Sequence, residues 1–309
     1  MYKRLLIPLD GSDLAQAVLP EAGALALDLD LEEITLLHVC NSQECEVVSL
    51  HRDYIERAAE IVRHYVSQGC EDEAALRVKH ATIGADLAIG HPAEEILECA
   101  DKAECDLILM STHGRSGIRR WALGSVADKV LRAATIPIWL IRAGSNTGHN
   151  RMGTKRTILV PLDGSELAEA VLPHVTALAA SGRRENVDVV LLAVCEPLAS
   201  PEFYLGPSGA ADLDSQAASC VRFNEGYLSG LEKQLRRAGI STRSEILMGN
   251  AADQIITYAA RSPLHLVAMA THGRSGLNRW VYGSVAEKVL LGASCPLLLV
   301  KPGPEDRSN

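Results

Sequence analysis

The sequence predicts an α/β protein built from two repeated, doubly wound domains, each a five-stranded parallel sheet with helices on both faces. Three observations lead there. The chain has 309 residues, about twice the usual domain size. It contains an internal duplication: Asp10–Pro20 (DGSDLAQAVLP) returns as Asp163–Pro173 (DGSELAEAVLP) with 9 of 11 positions matching, and Thr112–Leu131 returns as Thr271–Leu290 with 15 of 20 matching. Within each copy, short apolar runs alternate with amphipathic stretches, the pattern of strands joined by helical crossovers.

In the first copy, Arg4 to Leu9 is a short apolar strand ending in Asp10-Gly11-Ser12, a turn that starts a helix with Ser12 as N-cap. Leu14, Ala17, Val18, Leu25 and Leu27 give that helix an apolar side, which Pro20 must kink or interrupt. A strand over Ile34–Val39, a long helix beginning near Asp53 and a strand ending near Ile89 follow. Pro92 opens the next helix, and Asn250 occupies the N-cap at the equivalent point of the second copy. Asp106–Met110 and Ile136–Ile141 are the last two strands, separated by a helix from Ser125. The domains are expected over 1–143 and 156–303, with a linker at 144–155 rich in turn formers and a tail at 304–309. The offset between copies grows from 153 to 159, and the Pro-, Gly- and Ser-rich segment from Pro197 to Gly209 is the expected place for the extra residues.

Composition narrows the function. Apolar residues make up 47% and aromatics 4%, so the cores rest on Leu, Val, Ile and Ala, and aromatic platforms for single-stranded nucleic acid are not expected. The net charge is −9 and lies in the first copy: residues 1–150 hold 14 Lys+Arg against 23 Asp+Glu, whereas 151–309 hold 16 of each. Neither part is basic, which disfavours nucleic acid as a partner. The longest apolar runs are strand-length, so no membrane partner is expected, and the N-terminus shows no signal-peptide pattern, giving a cytoplasmic expectation. The eight cysteines form no CxxC pair and read mostly as reduced core residues, and the ten histidines are scattered without metal-ligand spacing.

In doubly wound sheets the chemistry sits beyond the carboxyl ends of the strands. Two segments converge there in each copy. One is Pro8-Leu9-Asp10-Gly11-Ser12, repeated as Pro161-Leu162-Asp163-Gly164-Ser165; the other follows the fourth strand, from Ser111 to Ser125 and from Ala270 to Ser284. A glycine-containing loop closed by Gly-Ser at a helix N-terminus has the ingredients of a phosphate cradle. The alternative is structural: Ser125-Val-Ala-Asp128 and Ser284-Val-Ala-Glu287 read as capping boxes, and Asp10 reads as a turn aspartate bonding its own Gly-Ser amides.

The order strand, Asp-Gly-Ser, helix, then Thr-His-Gly-Arg-Ser-Gly and a closing Gly-Ser resembles the universal stress proteins, and the whole chain resembles their tandem form. The resemblance covers about 1–142 and 156–301 and implies a Rossmann-like fold of the adenine nucleotide alpha hydrolase type. Family members that bind ATP carry G-x2-G-x9-G-[S/T] in this loop. Here the second glycine is Gly114 or Gly273 and the closing pair Gly124-Ser125 or Gly283-Ser284, while the first glycine is replaced by Ser111 and Ala270, both small.

By resemblance, Asp10 and Asp163 face the adenine or ribose, beside Pro8, Leu9, Pro161 and Leu162, with Val39, Met110, Val194 and Met269 near the base. The loops place Gly114, Gly117, Gly124, Ser125 and Val126, and Gly273, Gly276, Gly283, Ser284 and Val285, around the phosphates, with Arg115 and Arg274 adding charge. The implied ligand is ATP, which Mg2+ could accompany.

No P-loop and no nucleophile elbow occur, and His113 and His272 are weak as catalytic histidines. The leading reading is a nucleotide-binding regulatory module of stress response. A scaffold with vestigial pockets is its rival, and a weak ATP hydrolase is third. The resemblance also implies an intramolecular pseudo-dimer in which Ile136–Ile141 pairs with Pro296–Val300, and it allows a homodimer for which no residue argues.

Overall fold

The first copy runs β1 (Arg4–Leu9), α1 (Asp13–Gln16), α2 (Leu19–Leu29), β2 (Glu33–Cys40), α3 (Val48–Gln68), β3 (Thr82–Ile89), α4 (Pro92–Lys102), β4 (Leu107–Ser111), α5 (Ser125–Ala133) and β5 (Ile138–Ile141). The second repeats it as β6 (Arg156–Pro161), α6 (Glu166–Glu169), α7 (Leu172–Ala180), β7 (Val187–Cys195), α8 (Pro207–Arg237), β8 (Ser241–Met248), α9 (Ala251–Arg261), β9 (Leu266–Ala270), α10 (Ser284–Gly292) and β10 (Leu297–Val300). This is a computed structural model, describing residues 1–40, 48–68, 81–112, 123–142, 156–180, 187–196, 207–262, 264–272 and 282–303, with backbone alone over 207–214.

Ten strands form one sheet in the order β3-β2-β1-β4-β5-β10-β9-β6-β7-β8. Within each copy the strands are parallel; between copies β5 and β10 pair antiparallel, with Leu140 opposite Leu297, Trp139 opposite Leu298 and Ile138 opposite Leu299. Alternation along the strands feeds two core layers. Leu5, Ile7, Leu9, Trp139, Leu298 and Val300 pack with α2, α3, α7 and α8, whereas Leu6, Leu140, Leu297 and Leu299 pack with α4, α5, α9 and α10. Both layers run through both copies. Further links join them: Tyr2 Oη lies 2.7 Å from His174 Nδ1, the Lys301 ammonium donates to Arg132 O at 3.1 Å, and the Arg132 guanidinium sits 5.2 Å from the Tyr282 ring centre.

Local sequence explains most boundaries. Ser12 and Ser165 cap α1 and α6 by accepting from Ala15 N and Ala168 N at 3.1 and 3.2 Å. The expected break at Pro20 is a full interruption: α1 stops at Gln16, and α2 restarts at Leu19 with Pro20 in its first turn, where no donor is needed. Asn250 caps α9 through Asp253 N at 3.3 Å. The last strand is shorter than its apolar run because Pro137 has no N–H and contributes only its carbonyl, which accepts from Ile108 N at 3.1 Å.

Three expectations are corrected. The long helix starts at Val48, not near Asp53. The extra residues of the second copy are divided: Cys40 and Cys195 end equivalent strands, as do Ile89 and Met248, so two precede β7 and four lie between β7 and β8. Pro207, Ser208 and Gly209, read as loop from their turn chemistry, open α8.

At the junction of the copies, Arg156 on β6 pairs with Asp28 on α2. Glu21, two turns earlier on the same face of α2, is half-buried, and its desolvation pushes its carboxyl up to about 7, with Arg156 opposing the rise and Asp28 adding to it. The folded chain therefore holds this proton to higher pH than the unfolded chain, and stability falls as pH rises from about 4.5 to about 7. Glu21→Gln should flatten that part of the profile and stabilise the protein at pH 8 by on the order of 1–3 kcal/mol. Urea unfolding at pH 5 and pH 8 checks it; an unchanged difference between the two pH values would refute the assignment.

Candidate functional site

The strand order reverses between β1 and β4, and again between β6 and β9, which makes a crevice beyond the carboxyl ends of these neighbours. Asp10 and Asp163 lie just past β1 and β6. In each turn the aspartate Oδ1 accepts from the serine two residues on, at 3.0 Å from the amide and 2.6 Å from the hydroxyl. The intervening Gly11 and Gly164 have φ of 87° and 80°, a left-handed conformation that suits glycine. One carboxylate oxygen thus serves the turn, as the structural alternative required.

On the opposite side of the crevice the structural alternative fails. Gly124 and Gly283 are the N-caps of α5 and α10, and neither helix has a side-chain cap bond. Ser125 and Ser284 are the first helical residues, so the expected capping boxes do not form. The backbone reason is visible: Gly124 O already accepts from Asp128 N, and Gly283 O from Glu287 N, both at 2.9 Å. Asp128 instead accepts from Arg132 Nε, at 3.0 and 2.9 Å to its two oxygens. The glycine amides are also engaged: Gly124 N donates to Thr112 O at 2.9 Å and Gly283 N to Thr271 O at 2.8 Å, closing the base of each loop. The first-turn amides of Ser125 and Val126, and of Ser284 and Val285, have no intrahelical acceptor, and they stand at the positive end of the helix dipole.

An apolar wall completes each crevice. Met110 is buried at the end of β4, with Val39 and Val126 half-buried in the same layer; Met269, Val194 and Val285 repeat the arrangement. Pro8 and Pro161 are half-buried, while Leu9 and Leu162 turn into the other layer. Ser111 and Ala270, which replace the first motif glycine, are buried strand ends. Gly114, Arg115, Gly117, Gly273, Arg274 and Gly276 lie outside the described residues.

Two features escaped sequence reasoning. Cys195, at the end of β7 next to Val194, is disulfide-bonded to Cys220 on α8, a separation of 25 residues that no local motif signals. Asn224 Nδ2 donates to both sulfurs at 3.3 Å. This corrects the reduced reading for that pair; Cys40, Cys99, Cys105 and Cys295 are free thiols. The other feature is a cluster of His38, Cys40 and His51, which corrects the reading of the histidines as scattered.

A family model described as the universal stress protein family matches residues 1–142 and 155–301. Universal stress protein Slr1230 of Synechocystis sp. is 22% identical, covering 96% of this chain and 99% of the relative. Universal stress protein MJ0531 of Methanocaldococcus jannaschii is 30% identical over 47% of this chain and 82% of its own length. Among solved structures, a universal stress protein from Archaeoglobus fulgidus is similar over 97% of this chain and 98% of its own, with a TM-score of 0.62 at 19% identity. No helix among the described residues is long and apolar enough to cross a membrane.

The disulfide carries a prediction. Cys220→Ser should lower the unfolding free energy by roughly 2–4 kcal/mol, the usual effect of opening a loop of this length. A thiol reductant should destabilise the wild type similarly and leave the variant unmoved. Chemical unfolding with and without reductant measures both, and equal sensitivity of the two proteins would refute the bond.

Proposed function

The chain belongs to the universal stress protein family, and we propose that it is a regulatory module of stress response that binds an adenine nucleotide, ATP foremost, in the crevice of one or both copies. The observation carrying this reading is the uncapped helix N-terminus in each crevice, at Ser125-Val126 and Ser284-Val285, facing an apolar wall of Val39 and Met110 or Val194 and Met269. Amide donors at a helix start suit phosphate oxygens, and an apolar wall whose valines are half-buried suits a purine face. Asp10 and Asp163, each held in its turn just past β1 or β6, support the reading as carboxylate acceptors for a ribose hydroxyl. Mg2+ could ride on the phosphates, and the binding reading needs no protein ligand for it.

Nothing in the described crevice positions a base for an attacking water. His272 Nδ1 lies 3.0 Å from Thr271 Oγ1, its own neighbour. Binding without turnover is therefore the function proposed, with the second copy the tighter site because the first carries the excess of acidic residues.

The test uses the helix starts. Ser284→Asp places an anion at the first position of α10, where the helix dipole favours it by about 0.3–1 kcal/mol, so the fold should be as stable as wild type or slightly more so. The same charge should repel a triphosphate and weaken ATP binding to the second copy at least about tenfold, a loss of about 1.4 kcal/mol. Equilibrium binding to nucleotide-stripped protein reads the effect. No saturable binding by wild type at millimolar ATP overturns the proposal, and a larger loss from Ser125→Asp than from Ser284→Asp overturns the ranking of the copies.

A further inference from the structure

The cluster of His38, Cys40 and His51 lies outside the crevice residues and is unused by the proposed function. His38 and Cys40 are two residues apart on β2, so both project from the same face of the sheet, and α3, packed on that face, brings His51 to them. One nitrogen of each ring and the Cys40 Sγ lie within 4.8 Å of one another. His38 is 1% exposed and Cys40 0%.

The protonation pattern follows from the partners. His38 Nδ1 lies 2.7 Å from the Leu9 carbonyl oxygen, which only accepts, so this nitrogen carries the proton and His38 Nε2 bears the lone pair. That lone pair faces His51 Nδ1 at 2.9 Å, with the two rings stacked at 4.8 Å. The His51 Nε2 atom is buried with no hydrogen-bond partner among the described residues. A backbone carbonyl that accepts from one imidazole N–H and so fixes the tautomer and ring orientation is the usual outer partner of a metal-binding histidine.

We propose that His38, Cys40 and His51 form a site for a thiolate- and imidazole-preferring transition-metal ion, Zn2+ in the first instance. Two imidazoles and one thiolate match Zn2+ and exclude Mg2+ and Ca2+, which take oxygen ligands. Ligand atoms on a tetrahedral ion at about 2.0–2.3 Å stand roughly 3.3–3.8 Å apart, so small side-chain movements close the cluster on an ion. Three protein ligands leave a fourth position for water or an added ligand. On binding, Cys40 loses its thiol proton to solvent and the His51 proton moves from Nδ1 to Nε2, so that the cation replaces the N–H···N bond between the two rings.

The second copy supplies an internal control. Ala193 stands where His38 does, Cys195 where Cys40 does, and Asn224 precedes Tyr227 by three residues as His51 precedes Tyr54. There Cys195 is committed to its disulfide with Cys220, and Asn224 Nδ2 donates to both sulfurs.

The experiment titrates the full-length, chelator-stripped protein with Zn2+ against a chromophoric competitor, without thiol reductant so that the Cys195–Cys220 bond stays closed. One Zn2+ per chain is expected, and Co2+ should give intense tetrahedral visible bands with a near-ultraviolet thiolate-to-cobalt band. Cys40→Ser should abolish the thiolate band, and His51→Asn, the residue of the second copy, should weaken Zn2+ binding on the order of 100-fold, the upper end of the loss seen for removing even outer partners. Absence of stoichiometric binding at micromolar Zn2+, or no thiolate band in the wild-type cobalt complex, overturns the proposal without recourse to any variant. Unchanged affinity in folded Cys40→Ser and His51→Asn proteins overturns it equally.

Discussion

The pairing of β5 with β10 is the constraint on which the rest depends. Each copy ends in a four-residue strand whose every residue is buried, Ile138–Ile141 and Leu297–Val300. A strand that apolar cannot stand at an open edge, where its unpaired amides and carbonyls would meet water beside exposed side chains. Pairing the two edges satisfies both ladders at once and makes one sheet of two. The outer edges, β3 and β8, can then be the strands with the more exposed patterns.

That closure fixes where chemistry is available. With the last strands joined at the centre, the two points where strand order reverses lie on either side of the seam, β1/β4 in one copy and β9/β6 in the other. The helices that open beside them, α5 and α10, also build the seam. Arg132 of α5 stacks on Tyr282 just before α10, the Tyr282 hydroxyl donates to Asp128 O at 3.3 Å, and Lys301 reaches the end of α5. The start of each of these helices therefore belongs to an element that also contacts the neighbouring copy.

The alternation of strands and helices was legible because the central strands are apolar runs bounded by turn chemistry, and the duplication let many elements be read twice. The crevice was half legible. The Asp-Gly-Ser turn behaves as its composition implies, since a short carboxylate bonds the nearest following amide. The start of α5 does not: the Ser-x-x-Asp spacing is compatible with a capping box, but whether the chain enters the helix at glycine or serine depends on where Gly124 N finds a carbonyl, and Thr112 O lies twelve residues away. His38, Cys40 and His51 were invisible as a group because α3 joins them in space. An alternating His-x-Cys at a strand end is the signal that could have raised the question. The Cys195–Cys220 bond has the same origin, one sulfur on a strand and one on the helix covering it.

These two cysteine sites bear on how the copies diverged. Both sit where the second strand of a copy ends and its long helix passes over, and both tie that helix to the strand: α3 through His51 beside His38, α8 through Cys220 bonded to Cys195. The need is structural in origin, because the long helix is the crossover to an edge strand, packed on β2 and β3 in the first copy and on β7 and β8 in the second. A clamp at this point holds the end of β2 or β7, and with it Val39 or Val194, at the lip of the crevice. In the first copy the clamp is non-covalent and contains a histidine that bonds the Leu9 carbonyl, one residue before Asp10. In the second it is a covalent cross-link with no contact of that kind at Ala193. Two copies that share strand order and turn chemistry thus differ in what joins the long helix to the strand beside the crevice, a pair of histidines beside Cys40 in the first and a disulfide in the second.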